Sequence, residues 1–134
     1  MYLLDTNICI YIIKKKPIKV LNKFKKFKIG DLKISSITTA ELYFGAYNSD
    51  FVEKNLKTIE NFLLPFDIIN FDDKASIEYG KIKSYLKKRG NIIGELDIQI
   101  ASVALANDLV LVTNNVKEFK RVKSLKLENW VYEE

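Results

Sequence analysis

The chain has 134 residues, of which 48% are apolar and 29% charged, and it carries a formal charge of +5 with no histidine and a single cysteine, Cys9. Eight Phe and seven Tyr exclude a disordered tail, and no apolar run approaches the roughly 20 residues of a membrane-spanning helix. Without His, and with one Cys, serine–histidine triads, cysteine–histidine pairs, histidine-based ribonuclease chemistry, His/Cys zinc sites and internal disulfides are all excluded.

Taken in chain order, Tyr2-Leu3-Leu4 reads as a short buried strand ending at Asp5-Thr6-Asn7. Ile8, Ile12 and Ile13 then recur at helical spacing. Pro17 opens a second amphipathic helix with Val20, Leu21, Phe24 and Phe27 inward, closed by Gly30. Leu32–Ser35 predicts a second strand and Thr38 a helix through about Ala46. Another helix is expected over about Asp50–Leu63, stopped by Pro65, and Phe66–Phe71 alternates like a strand. Asp72–Arg89 is a clear amphipathic helix. After the Gly90–Gly94 loop, Leu96–Asn107 is nearly apolar throughout, as in a helix buried on most sides. Leu109–Thr113 is a β-branched apolar run suited to a strand covered on both faces. A turn at Asn115–Phe119 and a last strand near Leu125–Val131 complete the chain. Strands alternating with helices predict an α/β fold, one domain over residues 1–134 with a mainly parallel central sheet flanked by helices. The N-terminal stretch has its lysines after the apolar residues and no small-residue cleavage site, so a cytoplasmic protein without a membrane anchor is expected.

Charge is unevenly placed. Residues 1–33 hold nine lysines against two aspartates. A polyanion partner is one reading of Lys14, Lys15, Lys16, Lys19 and the lysines after them; a solvated helix face is the other. Cys9 lies in an apolar stretch and reads as a small buried side chain.

Three carboxylates carry most of the chemical information. Asp5 follows the first strand, Glu41 lies early in the helix after the second, and Asp97 interrupts an apolar run at a helix start. Singly, each has a structural explanation. Asp5 suits an N-cap, Thr38 and Glu41 fit a capping box, and Asp97 favours the positive end of a helix dipole. In a parallel α/β sheet, however, strand ends and the following helix starts share one edge, where ligands bind. Two carboxylates about 4 Å apart repel by roughly 4 kcal/mol at an effective dielectric near 20. Either a divalent cation or protonation of one acid relieves that. Mg²⁺ or Mn²⁺ prefers such oxygen ligands and keeps several waters.

Asp5-Thr6-Asn7, Thr39-Ala40-Glu41-Leu42 with Phe44-Gly45, Asp97-Ile98-Gln99-Ile100-Ala101, Leu111-Val112-Thr113-Asn114-Asn115 and Glu118-Phe119 occur in that order. Over essentially its whole length the chain resembles the PIN-domain nucleases, and in particular the VapC-type toxins of toxin–antitoxin pairs. The resemblance implies an Mg²⁺- or Mn²⁺-dependent endoribonuclease with Asp5, Glu41 and Asp97 at the acidic metal-site positions. Thr6, Asn7 and Thr113 match positions that support the site. Where many members place a fourth acid, this chain has Asn115, with Glu118 about one turn later as a substitute. The resemblance also implies a cognate antitoxin covering the site, a homodimer, and a tRNA or rRNA substrate. Hydrolysis by water would leave 5′-phosphate and 3′-hydroxyl ends. Lys117, Lys120, Arg121 and Lys123 join the N-terminal lysines as candidate phosphate contacts. Tyr43, Phe44 and Tyr47 are candidates for base stacking, and Ile8, Ile12, Tyr43 and Phe44 for antitoxin or dimer contacts. Two other readings stand beside this one: a PIN-like module that binds nucleic acid without cutting it, and a phosphoacceptor signalling domain. The second needs an acidic pair and a mid-chain acceptor Asp, whereas Asp5 stands alone and the mid-chain acid is Glu41.

Overall fold

The computed structural model describes residues 1–131. Five strands form one all-parallel sheet in the order β3-β2-β1-β4-β5. They are β1 (Tyr2–Leu4), β2 (Leu32–Ser35), β3 (Asp67–Ile69), β4 (Val110–Val112) and β5 (Leu127–Glu128). Between them run α1 (Thr6–Lys14), α2 (Ile18–Phe24), α3 (Ser36–Tyr47), α4 (Val52–Leu63), α5 (Asp73–Lys88), α6 (Glu95–Ala106) and α7 (Val116–Phe119). Parallel neighbours need crossovers, and the helices supply them on both faces.

Pleating divides the strands between two cores. Leu3 and Leu111 face α5 and α6, where Ile82, Leu86, Ile98 and Ala101 are buried. Leu4, Val112, Leu32 and Ile34 face the other way, onto Ile8, Cys9 and Ile12 of α1 and Leu42 and Ala46 of α3. Each of these Leu, Ile and Val side chains contributes about 1.5–3 kcal/mol of burial. α6 is buried at Ile98 and at every position from Ile100 to Ala104, which explains why its sequence lacks a polar face. Among the described residues no helix is long and apolar enough to cross a membrane.

Some boundaries differ from the sequence reading. α2 ends at Phe24 instead of continuing to Gly30, and Gly30 lies in a 3₁₀ turn over Ile29–Asp31. Phe27 leaves the helix to stack on Trp130, with ring centroids 5.1 Å apart, and to meet the edge of Tyr2 at 5.0 Å. α3 begins at Ser36, two residues before Thr38, because Ser35 is its cap. β3 and β5 are shorter than their apolar patterns, since edge strands pair on one side only.

Candidate active site

Asp5 stays in the sheet ladder through its N–H, which donates to Val112 O at 2.9 Å, and then caps α1. Its carboxylate is 4% exposed and doubly held. Oδ1 accepts from the Thr6 N–H at 2.8 Å, and Oδ2 accepts from Thr113 Oγ1 at 2.7 Å. The Thr113 oxygen in turn accepts the Asn115 N–H at 2.9 Å. Burial pushes the Asp5 pKa up; the bonds from Thr113 and Thr6 oppose this, and the charge of Glu41 adds to it.

Glu41 is no capping partner of Thr38. Ser35 caps α3 by accepting the Thr38 N–H at 3.1 Å, and Thr38 is fully buried one turn inside. Glu41 Oε1 instead accepts from Thr6 Oγ1 at 2.6 Å, across from α3 to α1. A carboxylate only accepts, so Thr6 is the donor, and its oxygen takes the proton of Thr38 Oγ1 at 3.0 Å. The result is a directed chain, Thr38 to Thr6 to Glu41.

Asp97 sits half-buried in the first turn of α6. Its pKa is pushed up to about 6, first by burial, then by the negative charges of Asp5, Glu41 and Glu118. Four carboxylates from four separate segments therefore act on one another at the carboxyl edge of the sheet. Among the described residues, no ion pair reaches Asp5, Glu41 or Asp97. Hard oxygens, net negative charge and no cationic partner fit Mg²⁺ or Mn²⁺. Among the described residues no three carboxylates stand close enough together to hold an ion by themselves.

The PIN domain family model matches residues 2–125. The chain belongs to the PIN-domain family. Within it, "Ribonuclease VapC2" of Haemophilus influenzae is 47% identical over 130 residues, 97% of this chain and 98% of that protein. The "tRNA(fMet)-specific endonuclease VapC" of Shigella flexneri is 41% identical, covering 96% of this chain and 97% of its own length. The crystal structure of VapBC2 from Rickettsia felis bound to a promoter DNA fragment superposes with a TM-score of 0.90 at 44% identity, covering 96% and 98% of the two chains. VapC membership removes the phosphoacceptor reading.

In this PIN domain the remaining residues fall into two groups. Thr6 and Thr113 touch the carboxylates as expected, whereas Asn7 stands exposed in the first turn of α1. Asn115 engages Thr113 through its backbone N–H, and Glu118 pairs with Arg121 at 3.3 Å. Lys14, Lys15, Lys16 and Lys19 are exposed, but the first of them lies about 12 Å along α1 from Thr6. Ile8 and Ile12 are buried and therefore unavailable to a partner, while Phe44 is 68% exposed. Burial pushes the Cys9 thiol far up, and Asp5 adds to this, so Cys9 is no nucleophile. Thr38 is the site residue the sequence reading misassigned, because a Ser and a Thr both stood where a cap was expected.

The Thr113 hydroxyl is testable on its own. Thr113→Val removes the donor to Asp5 and the acceptor of the Asn115 N–H at a fully buried position. The expected loss is about 1–3 kcal/mol in urea unfolding. An unchanged midpoint would show that water replaces both bonds.

Proposed function

We propose that this PIN domain, acting as one unit over residues 1–134, is a divalent-metal-dependent endoribonuclease toxin held in check by a cognate antitoxin. The observation that carries this is the crowding of negative charge on Asp97, which is lifted to about 6 by burial and by Asp5, Glu41 and Glu118, while among the described residues Asp5, Glu41 and Asp97 have no ion pair. Asp5 and Asp97 would hold Mg²⁺ or Mn²⁺, with Glu41 directly or through water and Glu118 in reserve. When bound, such an ion polarises a phosphoryl oxygen and acidifies water. Glu41 has Oε1 committed to Thr6, so its other oxygen is the one available to orient the attacking water and take its proton. Thr6 and Thr113 keep the carboxylates in place while substrate enters. With no histidine in the chain, the histidine acid–base pair that commonly serves attack by the 2′-hydroxyl is absent, which favours hydrolysis by water.

The named activity of the Shigella flexneri relative makes tRNA the first substrate class to test. The VapBC2 complex supports an antitoxin partner. A groove of about 340 Å³ between α1, α3 and α4, lined by Ile10, Ile13, Leu42 and Ile59 together with Lys14 and Glu41, would take a largely apolar antitoxin segment. Phe44, Tyr47 and Phe51, all well exposed on α3 and its exit, suit a homodimer contact.

The test is cleavage of purified tRNA by the isolated chain, with Mn²⁺ and with EDTA, followed by sequencing of the cut ends. Cleavage is expected only with metal, leaving 5′-phosphate and 3′-hydroxyl termini. EDTA-resistant cutting, or 2′,3′-cyclic phosphate ends, would overturn the reading. RNA binding without any cutting would favour the non-catalytic module instead.

A further inference from the structure

Arg121 was expected to grip RNA phosphate, but its guanidinium is already engaged. Nη1 donates to the carbonyl oxygen of Ile92 at 3.2 Å and lies 3.3 Å from Glu118 Oε2. One nitrogen thus bridges the end of α7 to the loop that leads into α6. The two segments carry different parts of the site. α7 holds Glu118 and is a single turn, too short to be stable without tertiary anchors, which here are Phe119 and Val122 in the core. The loop ends at Gly94, which starts α6 without any side-chain cap. A Cβ at Gly94 would stand 3.5 Å from Asp97 Oδ2, so the loop lies directly against that carboxylate. Any shift of the loop is therefore felt at Asp97.

We propose that Arg121 is a positioning residue: by tying Glu118 to the Ile92 carbonyl it fixes α7 against the loop ahead of Asp97, and so sets the spacing of the two carboxylates toward a bound cation. This rests on the metal-dependent reading above. A partly exposed ion pair contributes little to stability, so the value of the contact lies in spacing. Nη1 has two N–H bonds fixed in the guanidinium plane, so this one nitrogen can serve a carboxylate and a carbonyl together. A lysine ammonium keeps the charge but not the directionality.

The experiment measures Mn²⁺ affinity by calorimetry on the full chain for wild type, Arg121→Lys, Arg121→Gln, Glu118→Gln and the Glu118→Gln/Arg121→Gln double variant. The KM for tRNA and the salt dependence of tRNA affinity are measured alongside. Both Arg121 variants are expected to weaken Mn²⁺ binding by roughly 10-fold, as loss of an outer support typically does. In the Glu118→Gln background the Arg121 change should add nothing, because the two side chains work as one unit. The KM for tRNA and the salt slope should stay at the wild-type values. Wild-type Mn²⁺ affinity in Arg121→Lys, with tighter binding in Arg121→Gln, would mean that only the charge matters and would overturn the proposal. So would unchanged Mn²⁺ affinity with a salt slope reduced by about 0.7, the mark of one lost phosphate contact. If wild type itself binds no Mn²⁺, the metal-dependent function fails and this inference with it. If wild type binds Mn²⁺ and every Arg121 variant matches it, only the inference fails.

Discussion

Asp5→Asn is expected to lower tRNA cleavage by at least about 10³-fold while leaving the fold intact, a size consistent with losing both metal binding and charge-assisted proton transfer. Asn keeps one oxygen to accept the Thr6 N–H, while its amide NH2, standing where Oδ2 was, can donate to the Thr113 hydroxyl oxygen instead of accepting from it. What disappears is the negative charge at a position 4% exposed. Because that charge is buried at a cost, the metal-free variant should unfold no earlier than wild type at neutral pH. Cleavage within 10-fold of wild type would remove Asp5 from the metal site.

Asp97→Asn separates stability from activity in a pH-dependent way. The Asp97 pKa rises from 3.8 to about 6 on folding, so the folded state prefers the neutral acid. A raised carboxyl pKa supplies stability below the unfolded value and loses it as pH climbs through the folded one. Without metal, wild type should therefore lose stability between about pH 4 and pH 6 on account of this group. Asp97→Asn should be free of that loss. Its melting temperature is expected to exceed that of wild type by roughly 3–5 °C at pH 7.5, a figure of about 1 kcal/mol after allowing for solvent screening of a half-buried group. At pH 3.5 the difference should vanish. Mn²⁺ should then reverse the order at pH 7.5, stabilising wild type and leaving the variant nearly unmoved. A metal-free variant that melts below wild type at pH 7.5 would show that Asp97 is stabilised by contacts rather than strained by its neighbours.

The fold was legible because its strongest signals are long and periodic. The run at Leu109–Thr113 and the greasy helix ending at Asn107 have few other interpretations, and both lie where expected. The approach of Asp5, Glu41 and Asp97 was legible for a topological reason: parallel strands deliver their carboxyl ends to one edge. Short-range detail was less so. Ser35 and Thr38 are both good caps, and only the register of β2 decides between them. The Thr38–Thr6–Glu41 chain leaves no trace in hydrophobic patterning, since hydroxyl side chains have no periodicity to read. The contacts of Arg121 could not be read because one of its partners is the Ile92 carbonyl, and main-chain acceptors are invisible in a sequence.

The bond between Thr113 and Asp5 joins residues 108 positions apart, and β1 has β4 as a neighbour as well as β2. A chain emerging from the ribosome can form α1, α2 and β2 early, yet the socket for Asp5 does not exist until Thr113 has been added. The carboxylate cluster is thus completed long after its first member has been made, and every bond that seats Asp5 on β4 waits on sequence more than a hundred residues downstream.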